Sequence, residues 1–179
     1  MRAAMRGLSL VAALVAGAAQ AQSPYAGMQA RGIKALPDSQ IGDLQAGRGM
    51  GLALAAELNG YPGPLHVLEL ADQIGLSAEQ RGKVQQLFDS MKAEAIAVGA
   101  RLIEQEAELE RQFSGRSVTP ETLKGLTAQI AVTQGQLRET HLKYHLFTVS
   151  LLDPQQIAQY AQLRGYAGHA PAGHHKRQH

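Results

Sequence analysis

The 179-residue chain has no cysteine and no tryptophan, and only 4% of it is aromatic. Without cysteine there is no disulfide framework, thiol nucleophile, CxxC redox pair or thiolate-held zinc or iron–sulfur site. Any metal must be held by histidine, carboxylate or methionine. Three Phe and five Tyr are too few for a ladder of base-stacking platforms. The sequence also lacks a phosphate-cradling GxxxxGK[ST] loop, a GxSxG elbow and an HExxH helix, which argues against nucleotide, acyl-transfer and zinc-protease chemistry. No enzyme activity and no obligatory cofactor are expected.

Charge of one sign is scarce as well. The formal charge is +2, and Arg2 and Arg6 belong to a segment, MRAAMRGLSLVAALVAGAAQAQ, that reads as an export signal. It has a basic start, an apolar run from Leu8 to Ala19 and the small-x-small site Ala19-Gln20-Ala21, so cleavage is expected after Ala21. The apolar run is too short for an ordinary membrane span. Removing the two arginines leaves equal numbers of basic and acidic residues, and between Pro64 and Tyr166 there are 10 Lys/Arg against 12 Asp/Glu. Such a chain lacks the positive field that nucleic-acid binding requires. The expectation is a bacterial periplasmic protein that neither spans a membrane nor binds nucleic acid.

Residues 22–63 read as a loose or partly helical arm. A helix is expected from Pro37-Asp38 through about Leu58, although Gly42, Gly47, Gly49 and Gly51 each weaken it by about 1 kcal/mol relative to Ala. Asn59-Gly60-Tyr61-Pro62-Gly63-Pro64 is a firm break, and a short helix from Pro64 to Ile74 should stop near Gly75. From Ser77 the apolar residues Val84, Leu87, Met91, Ala95, Val98 and Leu102, continued by Leu109 and Phe113, recur at three- and four-residue steps. That helix would be roughly 55 Å long. After a polar turn, Thr119 and Pro120 open a second long helix whose stripe is Leu123, Leu126, Ile130, Leu137, His141, Tyr144 and Leu151. The two form an antiparallel hairpin, with Glu79–Lys83 and Glu139–Lys143 as supporting pairs. A last helix opens at Asp153-Pro154 and runs to about Arg164. The expected fold is thus all-α, and so few aromatics make a thin core that a second copy of the chain would cover as a homodimer.

Two segments repeat: Leu76-Ser77-Ala78-Glu79-Gln80 and Leu152-Asp153-Pro154-Gln155-Gln156. Each places Leu before an N-cap and Gln at the third helical position, the arrangement of a capping box. With the export signal, the missing cysteines, the long hairpin between the motifs and histidine-bearing flanks, the chain resembles the LTxxQ-motif family of periplasmic proteins. That is the Spy/CpxP group, which also takes in ZraP and CnrX-type metal sensors. The likeness covers residues 64–166, with Ser77 and Asp153 standing where the family pattern has Thr. It implies an all-α cradle, a dimer of long bent hairpins. Such a cradle either binds unfolded or partly folded envelope proteins without ATP or reports metal and envelope stress to a signalling partner.

Histidine is the other feature present in quantity. All seven lie beyond the export signal. His141 and His145 stand four apart on one helix, a spacing that suits a divalent transition metal such as zinc, nickel or copper. His66 and Glu69 could add an imidazole and a carboxylate if the short helix packs near that end of the hairpin. The same residues permit two other readings: a hydrogen-bonded core or interface histidine at His141, or a pH-sensitive interface. His169, His174, His175 and His179 in the tail 167–179 suggest a flexible, low-affinity metal-binding segment or simply a solubilising end. Glu104, Glu106, Glu108 and Glu110, with Arg101 and Arg111, read as a solvated face.

Overall fold

Each long helix begins where a side chain accepts the free N–H groups of its first turn. In a computed structural model that describes residues 23–166, Ser77 Oγ accepts the Gln80 N–H at 3.1 Å while Gln80 Oε1 accepts the Ser77 N–H at 3.0 Å. Thr119 and Thr122 make the same exchange at 3.2 and 2.9 Å, and Asp153 and Gln156 make it at 2.8 and 3.0 Å. These capping boxes satisfy donors that a helix start would otherwise leave bare. The described residues form six α-helices and no strand: α1 (Asp38–Gln45), α2 (Leu54–Glu57), α3 (Pro64–Glu69), α4 (Ala78–Ser114), α5 (Pro120–Val149) and α6 (Pro154–Leu163). None is long and apolar enough to cross a membrane. The expected export signal and the tail histidines His169, His174, His175 and His179 lie outside the described residues.

The described residues fall into two units, 23–30 and 31–166. In the first, Ser23 Oγ accepts the Tyr25 N–H and a single 3-10 turn spans Met28–Ala30. The second contains all six α-helices. Within it α4 and α5 run side by side in opposite chain directions. Gln80 bonds the Leu151 carbonyl, Glu94 accepts from Lys143 at 2.5 Å, and Arg101 donates to Gln136 at 2.8 Å. Lys143 therefore reaches across to α4 instead of pairing with Glu139, and the ammonium's hydrogen bond holds Glu94 below the usual carboxylate range. The Glu79–Lys83 pair forms at 2.6 Å, as the spacing suggested.

The expected helix over 38–58 is broken in two. Gly47 (φ 65), Met50 (φ 45) and Gly51 (φ 77) all take left-handed backbone, which no α-helix accommodates. The segment is partly helical and packs on the long helices. Leu36 and Leu44 are buried with Ala95, Val98 and Leu102 of α4 and with Ile130 and Leu137 of α5. Each such burial is worth roughly 1.5–3 kcal/mol. The crossing of α1 over α4 needs a small residue, since a Cβ on Gly99 would stand 2.7 Å from the Leu44 carbonyl oxygen. A second cluster joins Val67, Ile74, Val84, Leu152 and Tyr160. Regular α3 stops at Glu69, earlier than the expected Ile74, and turns carry the chain to Gly75 (φ 67).

The two repeated motifs meet. Gln80 Nε2 donates to Gln156 Oε1 at 2.9 Å and Gln156 Nε2 donates to Gln80 Oε1 at 3.0 Å. The second proton of each amide reaches a carbonyl two residues before the opposite cap, Leu151 at 2.8 Å and Gly75 at 3.3 Å. Leu152 and Gln156 are buried. Gln156→Ala leaves the Asp153 N–H without its acceptor and strands the Gln80 amide, and is expected to lower stability by about 2–3 kcal/mol. In urea unfolding, the double variant Gln80→Ala/Gln156→Ala should lose about 1 kcal/mol less than the two single losses together.

Candidate functional site

Where the Gly47–Gly51 turns, the start of α3, the first half of α4 and the C-terminal part of α5 converge, they leave a half-open cavity of about 570 Å³. His66, His141 and His145 all line it, so three of the expected site residues come to one place. Glu69 does not line it. Its carboxylate instead bonds His66 Nδ1 at 2.8 Å on the surface. Met50 and Met91, remote in sequence from the histidines, line the same cavity. Among the described residues no three His, Asp or Glu side chains are arranged to hold a metal ion together.

The two α5 histidines differ. His145 is 8% exposed, and its Nδ1 donates to the Tyr61 carbonyl at 2.6 Å, which leaves Nε2 as the acceptor nitrogen when the ring is neutral. That edge is covered by Gly63, where a Cβ would lie 2.8 Å from Nε2. Only glycine lets the chain pass here. His141 is 3% exposed, and its Nε2 is buried without a hydrogen-bond partner. Burial, with the neighbouring charge of His145 adding to it, pushes its pKa below the ordinary 6.5.

Among the described residues the one carboxylate lining the cavity is Glu57, which sequence reading did not single out. It is 7% exposed. One carboxylate oxygen accepts the Tyr160 hydroxyl and, at 3.2 Å, the Tyr166 hydroxyl, and the other accepts the Gly63 N–H at 3.2 Å. Arg164 Nε lies 3.6 Å away and His145 Nδ1 lies 3.7 Å away. Burial first, then the Glu57 bond and charge, hold the Tyr160 phenol far above its ordinary value, so it remains a donor. One signal was available: Glu57 is the only charged residue between Arg48 and His66. A lone carboxylate in an apolar stretch calls for buried partners.

Of the motif residues, Leu76 is half-buried, Leu152 is buried, and Ser77 and Asp153 remain exposed at their caps. No family model matches the chain, and neither a curated protein nor a solved structure matches it.

His141 also sets a pH dependence. Below pH 6.5 the unfolded chain takes up a proton that the folded ring still refuses. Stability is therefore fully present above 6.5 and declines as pH falls through and below it, until the folded ring titrates. Urea midpoints measured from about pH 8 down to about pH 5 should fall, and His141→Phe should remove that part of the decline.

Proposed function

We propose that the chain is an exported periplasmic protein of the LTxxQ-motif type that acts by binding rather than catalysis. In this reading it is an ATP-independent chaperone or envelope-stress modulator that reversibly holds unfolded or partly folded proteins. Its working unit would be a homodimer of α4–α5 hairpins forming a cradle, with an envelope signalling protein as a further partner. The observation that carries the reading is the polarity of α5. Thr133, Thr140, Thr148, His141 and His145 are turned inward, whereas Val132, Leu146 and Phe147 are 61%, 54% and 48% exposed. Apolar side chains exposed on a helix surface favour weak, reversible capture of apolar segments, which release as they bury themselves.

The purified mature chain at equimolar ratio is expected to suppress aggregation of a chemically denatured reference enzyme. The double variant Leu146→Glu/Phe147→Glu should suppress at least about threefold less. No suppression by the parent chain at several-fold excess would sink the reading.

A second reading, a heavy-metal-binding sensor or metal-resistance protein, is favoured by the convergence of His66, His141 and His145 with Met50 and Met91 on one cavity. Imidazole and thioether donors suit zinc, nickel or copper. Calorimetric titration with Zn²⁺, Ni²⁺ and Cu²⁺ should then show roughly micromolar or tighter binding that is lost in His141→Ala/His145→Ala. Binding unchanged by that double substitution removes the site.

A further inference from the structure

The cavity that holds the histidines has walls and charges that suit something other than a metal or a polypeptide. Its mouth is apolar and open: Met50, Leu54 and Leu65 are 38%, 54% and 41% exposed, and Phe88 and Met91 continue the apolar wall from α4. A volume of about 570 Å³ lies within the usual range of small-molecule sites, in which a few polar groups orient an otherwise apolar ligand.

The polar groups on this wall are not symmetric between acids and bases. Its one carboxylate among the described residues, Glu57, already accepts from Gly63, Tyr160 and Tyr166 and faces Arg164. It has little left to offer a cationic ligand. Three cations border the cavity. Arg48 is paired with Asp43 at 2.5 Å and Arg164 faces Glu57, but Lys92 makes no ion pair among the described residues.

At the wall His141 supplies a donor. A proton on Nε2 would be a buried N–H with no acceptor, the rarer and costlier kind of unpaired group. The neutral ring therefore keeps its proton on Nδ1. That edge is turned to Gly49, where a Cβ would stand 3.7 Å from Nδ1. Both Gly49 and His141 line the cavity.

We propose that this cavity is a binding site for a small amphipathic monocarboxylate, its apolar body lying against Met50, Leu54, Leu65 and Phe88 and its carboxylate meeting Lys92 and the His141 Nδ1–H. The site is separate from the outward α5 face on which the chaperone reading rests, so either can fail without the other.

The test is calorimetric titration of the purified mature chain with decanoate, decanol and decylammonium, each kept below its micelle concentration. Decanoate is expected to bind one-to-one, at least about tenfold more tightly than decylammonium. Lys92→Gln, an exposed position, should weaken decanoate about tenfold while leaving decanol unchanged. Gly49→Leu, at a backbone angle open to any residue and with room for a Cβ, should fill the cavity and abolish binding of decanoate. If Gly49→Leu does not fold by circular dichroism, the Lys92→Gln contrast between decanoate and decanol decides. Decylammonium binding as tightly as decanoate, full decanoate binding by a folded Gly49→Leu chain, an unchanged decanoate affinity in Lys92→Gln, or no decanoate binding at about millimolar concentration would each overturn the proposal.

Discussion

The reciprocal amide pair between Gln80 and Gln156 is the constraint on which the helical arrangement depends. Each Oε1 accepts two N–H groups, one from its own cap and one from the opposite amide, and each Nε2 donates to the opposite Oε1 and to a carbonyl. Only an amide can do both. A carboxylate at either position would set acceptor against acceptor and abandon the Leu151 or Gly75 carbonyl. The pair joins the starts of α4 and α6 to the end of α5 and to the turn before α4, so four chain segments are brought into register by two side chains. Being half-buried, its bonds are worth more than exposed ones and cost more to lose.

That register has a consequence one helical turn further on. Tyr160 follows Gln156 by four residues on α6 and so lies on the same face, where it is buried and donates to Glu57. Tyr166 and Arg164, just beyond α6, reach the same carboxylate. Glu57 thereby ties α2 to the end of the chain's described part and to the Gly63 backbone under His145. The cavity wall is held by hydrogen bonds where the apolar core is thin. An ion of this kind is stable only while its donors are present, since an unpaired buried carboxylate would cost several kcal/mol.

Local chemistry explains what could be read directly from the chain. The three caps, the Asn59–Pro64 break and the extents of α4, α5 and α6 follow from residues within a few positions of one another. What could not be read depends on distance. The Gln80–Gln156 contact joins two residues whose capping roles already gave each a complete local explanation. Of the inward stripe of α5, Ile130, Leu137, His141 and Tyr144 were legible, but Thr133, Thr140 and Thr148 were not, because threonine does not register as apolar; yet Thr148 is fully buried, its hydroxyl donating to the Tyr144 carbonyl at 2.7 Å. Leu123, counted in the stripe, is 37% exposed. At the site, His66, His141 and His145 were legible as one group, whereas Glu57, Met50 and Met91 were not. Glu69 belonged to the surface because it stands one helical turn from His66 and satisfies that ring locally.

The cavity exists because of the same polar interior. A helix whose buried face carries threonine and histidine cannot close tightly over a neighbour as leucine would. Its bulk is short of the space, and its polar atoms need partners that an apolar wall does not supply. Along α5 most of this demand is met internally: Thr148 bonds its own helix, His145 bonds Tyr61, and Thr140 and Tyr144 reach Glu94. His141 is the exception: its Nε2 is buried without a partner, and its Nδ1 edge faces Gly49, which brings no side chain to it. Glycine thus serves two purposes in one segment: Gly47 and Gly51 take left-handed backbone that breaks the first helix, and Gly49 between them leaves room beside the ring.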